Sequence, residues 1–417
     1  MKQEKMGYKM KKTVLKLGAA MLVIVMMLSL SSCVLIDEIM GNNQGVWYPP
    51  QTDTDLKDNI NINNVTINPQ GGNLAFGANE GVRSIVSVYC TFGGGLLGGG
   101  SGSTGSGIIY KVNSEGDAFI ITNYHVVHNS SSGISEKIDL YLYGMEYVDY
   151  TIPATYVGGS MNYDIAILRV DDSEVLKKAY ANGSVQAVKI ADSDKISIGQ
   201  ETIAIGNPQG QGISVTTGVI SVDSEYIDMT GSDGKTAVSF RVMRTDTPVN
   251  SGNSGGGFFN SKGELIGVVN AKIINSDVEN IGYAIPSNVA RAIADNIIDY
   301  CYGKECKTVM RGILGITVVA NSLSTYYDET EGVVVRVEEI AVHDVTAGGL
   351  GSKMFQTGDI IKSVTIGDKE IEITRQHHLI DAMLDVRVGD TVTNVIVRNG
   401  EEMVVSTVIT QDCLAAY

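Results

Sequence analysis

A mainly β fold is predicted for this chain, in two or three domains, and three observations carry the prediction. Between Ser84 and Ile285 the sequence breaks into short β-rich pieces bounded by glycine and asparagine. Ser84 to Cys90, Gly107 to Tyr110, Phe119 to Thr122, Thr202 to Ile205, Val238 to Val242 and Glu264 to Val269 are examples. Short strands broken by frequent turn signals indicate antiparallel sandwiches or barrels. The 417 residues, 43% of them hydrophobic, suffice for more than one core. From Gly312 on the pattern changes, which marks a further domain.

The chain opens with Lys2, Lys5, Lys9, Lys11, Lys12 and Lys16, then an apolar run from Leu17 to Leu30. A basic region before an apolar core of this length reads as a secretory signal, short for a membrane span. The run ends in Leu30-Ser31-Ser32-Cys33, which resembles a bacterial lipobox. In signals of that type the cysteine is acylated and becomes the first mature residue. Cys33 is therefore the expected lipidation site and 1–32 the expected signal peptide; the rival is an uncleaved anchor helix. Both readings put the rest of the chain outside the cytoplasm, attached to the cell membrane.

Loss of residues 1–32 removes six lysines and one glutamate, which takes the formal charge from −16 to about −21. Such an acidic surface argues against nucleic acid and anionic lipid headgroups as partners. Residues 33–80, rich in Asn, Asp, Gln and Gly, read as a disordered tether. The glycine run from Gly93 to Gly107 lacks the Gly-Lys-Ser/Thr ending of a phosphate loop, so it reads as a mobile connection.

Pro286-Ser287 opens a helix with Val289, Ile293 and Ile297 on one face, ending near Tyr300. Residues 81–300 are thus one expected domain, 301–310 a linker and 311–417 a second domain. Apart from Cys33 the cysteines are Cys90, Cys301, Cys306 and Cys413. Cys301 and Cys306 either close a small disulfide loop or stay free, and spacing does not choose. No zinc-ligand spacing occurs, and neither a metal nor a cofactor is expected. His377-His378 is the one tempting pair, but adjacent residues point to different faces of a helix, which favours solvated or peptide-contacting side chains.

The chemistry is concentrated in Asn250-Ser251-Gly252-Asn253-Ser254-Gly255-Gly256-Gly257. An attacking serine needs its oxygen clear of neighbours and N–H groups converging beside it, and glycine permits both. It also needs a base and a group to orient that base. His125 follows the apolar run Phe119-Ile120-Ile121, and Asp164 opens the apolar run Ile165-Ala166-Ile167-Leu168, where a carboxylate is costly unless paired. The order His125, Asp164, Ser254 is that of the chymotrypsin class and excludes the subtilisin and α/β-hydrolase orders.

Here the chain resembles the HtrA/Deg family of trypsin-like serine proteases. The matching residues are Thr122-Asn123-Tyr124-His125-Val126-Val127, Asp164 to Leu168 and Gly252-Asn253-Ser254-Gly255-Gly256. Ala204-Ile205-Gly206-Asn207-Pro208, Val215-Thr216-Thr217-Gly218 and Gly282 to Ser287 extend the match over about two hundred residues. Gly257 departs from the family, which usually has proline or a small apolar residue there, and is expected to loosen the turn after the nucleophile. The resemblance implies a double β-barrel with the triad between the barrels. It implies an oxyanion hole from Gly252, Asn253 and Ser254, and Pro248 at the base of the specificity pocket. Unfolded or misfolded proteins would be the substrates, and the family's habit suggests a homotrimer. Asn253 stands where digestive relatives carry aspartate, so activation by an N-terminal ion pair is not expected.

Gly312-Ile313-Leu314-Gly315-Ile316, Gly332-Val333-Val334-Val335, Thr357-Gly358-Asp359-Ile360-Ile361 and the segment Leu379 to Leu384 resemble an α+β PDZ domain. The implied carboxylate loop is Ile313, Leu314, Gly315 and Ile316, and the implied ligand is a peptide C-terminus added as a strand. The rival to a regulated endopeptidase is a peptide-holding chaperone or scaffold whose protease fold is idle; the intact triad counts against it.

Overall fold

The computed structural model describes residues 73–93, 101–145, 148–271 and 281–417. The expected signal peptide, Cys33, the tether as far as residue 72 and residues 94–100 of the glycine run lie outside the described residues.

The first described element corrects the tether boundary. Helix α1, Asn73–Val82, falls inside the stretch expected to be disordered to residue 80. Its glycines are the reason: a Cβ at Gly77 would lie 2.8 Å from the Ser261 carbonyl, and one at Gly81 would lie 2.7 Å from the Ile205 side chain. The helix therefore sits flush, and Leu74, Ala78 and Val82 pack on the core. Apolar burial of this kind outweighs the glycine cost, so residues 73–80 belong to the packed domain rather than to a tether.

Two closed barrels follow. The first comprises β1 (Ile85–Phe92), β2 (Ser101–Val112), β3 (Ala118–Thr122), β4 (Lys137–Leu142), β5 (Ile152–Ser160) and β6 (Ile165–Val170), in the order β1-β2-β3-β6-β5-β4. Its interior is filled by side chains such as Val88, Ile109, Ile120, Leu140 and Leu168. Between β3 and β4 lies the single turn α2 (Tyr124–Val127), and α3 (Glu174–Ala181) follows β6. The second barrel comprises β7 (Glu201–Gly206), β8 (Ser214–Thr230), β9 (Ala237–Thr245), β10 (Gly257–Phe259), β11 (Leu265–Val269) and β12 (Gly282–Pro286), in the order β8-β9-β12-β11-β10-β7. Ile220, Met243, Phe258 and Ile266 fill it. Alternation of side chains along each strand leaves a second apolar face outside the barrels. Those faces join in one core between them, where Ile85, Ile121, Ile205, Phe240 and Phe259 meet Ile293 and Ile297 of helix α4 (Ser287–Cys301).

The expected linker is packed rather than free. Cys301 and Cys306 are disulfide-bonded. The Lys307 carbonyl accepts the Gly159 N–H at 3.0 Å, and the Asn296 amide brackets Met310 by donating to its carbonyl and accepting its N–H.

The C-terminal domain carries β13 (Met310–Gly312), β14 (Ile316–Asp328), β15 (Val333–Val345), β16 (Ile360–Ile366), β17 (Lys369–Glu372), α5 (Gln376–Ala382), β18 (Thr391–Arg398), β19 (Glu401–Val408) and β20 (Leu414–Ala416). Its main sheet runs β14-β15-β16-β18-β19, with β17 beside β16 and the pair β13-β20 apart. Val342, Phe355, Ile361, Val364 and Ile396 form its core.

Charged pairs dock this domain on the second barrel and on α4. Arg241 of β9, only 4% exposed, reaches Asp194 at 2.9 Å and Asp381 at 3.3 Å. Arg375 meets Asp223 at 2.9 Å, and Arg291 holds both carboxylate oxygens of Asp385 at 2.9 and 2.8 Å. Burial pushes the Asp381 carboxyl up to about 6 although Arg241 pulls the other way. Among the described residues no helix is long and apolar enough to cross a membrane.

Candidate active site

Three turns between buried strands bring the predicted residues together. The buried strand β3 delivers Asn123 and His125 to the barrel rim. Asp164 occupies the tight turn between β5 and β6 with φ 53°, a left-handed conformation that costs energy outside glycine. Hydrogen bonds over-determine it: its carbonyl accepts from the Tyr124 N–H at 3.1 Å and from Asn123 Nδ2 at 2.9 Å.

The Asp164 carboxylate is 4% exposed and every contact orients it. Oδ1 accepts the His125 backbone N–H at 2.9 Å, while Oδ2 lies 2.6 Å from His125 Nδ1 and accepts from Asn270 Nδ2 at 2.8 Å. A carboxylate only accepts, so Nδ1 carries a proton and the Nε2 lone pair faces outward. That lone pair meets Ser254 Oγ at 2.9 Å. His125, Asp164 and Ser254 thus form one hydrogen-bonded line.

The loop carrying Ser254 is pinned by residues far away in sequence. Ser106 donates its N–H to the Ser254 carbonyl and its hydroxyl to the Gly252 carbonyl, both at 2.8 Å. The Gln209 N–H holds the Ser251 carbonyl at 2.8 Å. Gly252 has φ 96°, and a Cβ there would stand 2.3 Å from the Asn207 carbonyl, so no other residue fits. The Ala271 N–H also donates to Ser254 Oγ, at 3.2 Å. A polar cleft of about 430 Å³ opens over His125, Ser254, Gly252 and Gln209.

Among the described residues, the N–H groups of Gly252 and Ser254 meet no protein acceptor, whereas the Asn253 N–H donates to the Asn250 carbonyl at 3.0 Å. Asn253 is therefore not a third backbone donor, because the turn itself uses its N–H. Pro248 is exposed, its carbonyl accepting from Thr216 Oγ1 at 2.8 Å. One further expectation changes. Gly257 does not loosen the turn: it opens β10, paired with Val268 and Ile205, and a Cβ there would meet the Phe259 ring at 2.2 Å.

Sequence reasoning missed Asn270, Ser106 and Gln209. An amide ending the fully apolar run Leu265–Val269 was a signal for Asn270. Ser106, one of several serines in a glycine-rich stretch, offered none.

The description "Trypsin-like peptidase domain" matches residues 105–268. The serine protease Do-like HtrA of Lactococcus lactis subsp. cremoris is 31% identical over 333 residues, covering 73% of this chain and 73% of that protein. The chain belongs to the HtrA family of serine proteases. The Do-like HtrA of Bacillus subtilis is 34% identical over 310 residues, which are 73% of this chain and 62% of the relative's length. The periplasmic serine endoprotease DegP of Escherichia coli is 33% identical over 244 residues, 57% of this chain and 44% of DegP. A solved structure titled "HtrA-type protease AlgW with tripeptide" aligns at TM-score 0.52 and 25% identity, covering 82% of this chain and 98% of that one.

In this HtrA-family chain the expected carboxylate loop lies at the entry to β14. Leu314 is buried, Ile313 is exposed and Gly315 has φ 71°. The Leu314 and Gly315 carbonyls are taken by the N–H groups of Gly351 and Thr346 at 2.6 and 2.9 Å. From α5, Gln376 Nε2 donates to the Val318 carbonyl of β14 at 3.1 Å. The His pair also corrects its expectation: both rings turn toward Asp194, with centroids 4.6 Å apart. They are the second and third residues of α5.

Proposed function

We propose that this chain is a serine endopeptidase of unfolded or misfolded extracytoplasmic proteins, working through an acyl-enzyme on Ser254. The observation that carries the reading is the unbroken line Asp164 Oδ2–His125 Nδ1 at 2.6 Å and His125 Nε2–Ser254 Oγ at 2.9 Å. Ser254 Oγ attacks the scissile carbonyl carbon while His125 Nε2 takes its proton. The negative oxygen of the tetrahedral intermediate falls to the free N–H groups of Gly252 and Ser254; one such donor is worth about 3–4 kcal/mol. His125 then returns the proton to the leaving amine, and a water repeats the sequence to release the acid. Asp164 keeps the imidazole in its working tautomer throughout.

Anchoring by lipid at Cys33 follows from Leu30-Ser31-Ser32-Cys33, and single acyl chains hold weakly, so two or three are expected. The C-terminal domain is read as a PDZ module on Gly315 and the open edge of β14, taking substrate or signal peptides by their C-termini. Casein digestion by wild type and by Ser254→Ala tests the reading. Loss of all cleavage with an unchanged circular dichroism spectrum is the expected result, and full cleavage by the variant would refute it.

A further inference from the structure

Three potential ligand side chains from distant parts of the chain meet where the second barrel touches the C-terminal domain. Asp194 comes from the turn Ser193–Lys195, and His377 and His378 open α5. One ligand atom of each lies within 4.8 Å of the other two. His377 is buried, and its Nε2 stands 3.8 Å from Asp194 Oδ1, beyond hydrogen-bond range.

The outer atoms of all three groups are already held. His378 Nδ1 is held between the Glu372 carbonyl at 3.1 Å and the Thr374 N–H at 3.4 Å; in the tautomer that donates to the carbonyl, Nε2 keeps its lone pair. Ser224 Oγ is 3.4 Å from His377 Nδ1. The Asp194 carboxylate accepts from Arg241 at 2.9 Å on Oδ1 and from Asn288 at 2.9 Å on Oδ2, which leaves lone pairs on both oxygens. Ligand side chains of bound cations are oriented in this manner, by a carbonyl or polar group on the atom facing away from the ion.

We propose that Asp194, His377 and His378 bind one divalent transition cation of the zinc class, bridging the second barrel and the C-terminal domain. Two imidazoles and one carboxylate suit zinc and its neighbours, whereas calcium and magnesium seek oxygen alone. Bonds of about 2.0–2.1 Å draw the ligand atoms to roughly 3.3 Å apart, a side-chain movement of about 1 Å. His378 is half-buried and the Asp194 side chain is 28% exposed, so solvent supplies both an entry path and a fourth ligand. The nearby guanidinium groups do not stand alone against the ion. Arg241 is shared by Asp194 and Asp381, and Arg375 is paired with Asp223. The bound ion ties the two domains through a contact stronger than a surface ion pair.

Zinc chloride titrated calorimetrically into the metal-stripped full-length Ser254→Ala chain tests this, the substitution serving to prevent self-digestion. One ion should bind, and the thermal midpoint should rise with zinc concentration. Asp194→Asn, His377→Ala and His378→Gln should each weaken binding at least about tenfold and cancel the rise. His125→Ala should leave both intact, which separates this site from the triad histidine. Should His377→Ala not fold, His378→Gln at the half-buried ligand decides alone. Wild-type affinity in that variant, or no uptake with zinc up to about 1 mM, would overturn the proposal.

Discussion

Asn270 Nδ2 donates at 2.8 Å to the same Asp164 oxygen, Oδ2, that holds His125 Nδ1 at 2.6 Å. The amide fixes the carboxylate from the second barrel while the histidine hangs from the first, so one oxygen ties the halves of the site. Asn270→Ala should leave the fold and KM unchanged and lower kcat. A hydrogen bond to a charged group is worth about 1.5–3 kcal/mol, hence about 10- to 100-fold. Steady-state kinetics on a fluorogenic peptide check this; an unchanged kcat would remove Asn270 from the positioning set.

Ser106 grips the nucleophile loop at two carbonyls, those of Gly252 and Ser254. Ser106→Ala keeps the backbone grip and loses the hydroxyl, leaving the Gly252 carbonyl and the Asn207 N–H without their partner. Each unmade buried bond costs about 1–3 kcal/mol, so kcat should drop about tenfold or more as the loop loosens. The readout is kcat beside the thermal midpoint. Wild-type kcat in a folded variant would mean that the backbone contact suffices.

The reach of sequence reasoning follows from these contacts. The grouping of His125, Asp164 and Ser254 was legible because acyl transfer, the proposed chemistry, demands those residue types, and their order excludes other arrangements. The strands were legible because their burial leaves period-two and all-apolar runs such as Leu265–Val269. The docking of the C-terminal domain was not, since Arg241–Asp381 and Arg291–Asp385 join residues whose separations no local pattern encodes. For α1, Gly77 and Gly81 read as disorder until a partner surface with room only for glycine is known. The direction of His377 and His378 was missed for a similar reason: Asp194, which both rings face, is far away in sequence.

Within the C-terminal domain, Asp359 is 1% exposed and held by both Nε and Nη2 of Arg398, at 2.8 and 2.7 Å. Burial raises its pKa, but the Arg398 pairing and the Gln356 N–H outweigh this, so the carboxyl titrates below its ordinary range. A depressed folded value gives stability that is full above the unfolded value near 4 and lost as pH falls through the folded one, below about 4. Arg398→Ala strands a buried charge and should cost about 3–5 kcal/mol at neutral pH. In that variant only the Gln356 N–H still offsets burial at Asp359, so acid should destabilise less through it. Thermal midpoints of the full chain from pH 7 to pH 3 provide the comparison; parallel curves would exclude the pair as the acid-sensitive element.

The Gln376 contact with the Val318 carbonyl occupies an acceptor that an added peptide strand requires. Gln376→Ala should tighten binding of a peptide with a free apolar C-terminus several-fold, from a micromolar starting point near about −8 kcal/mol. Amidating that peptide should weaken binding by about tenfold or more, because a carboxylate–N–H bond is charge-assisted. Calorimetry on full-length Ser254→Ala gives both comparisons. Equal affinity for acid and amide would rule out a carboxylate-reading module.

The central claim is that Ser254 is an activated nucleophile with His125 as its base. Intact-mass analysis after fluorophosphonate treatment reads this directly, since an unactivated serine does not react. Wild type should gain one adduct, mapped by peptide digestion to Ser254, while Ser254→Ala gains none and His125→Ala reacts far more slowly. Equal labelling of wild type and Ser254→Ala, or an unlabelled wild type that still digests casein, would contradict it.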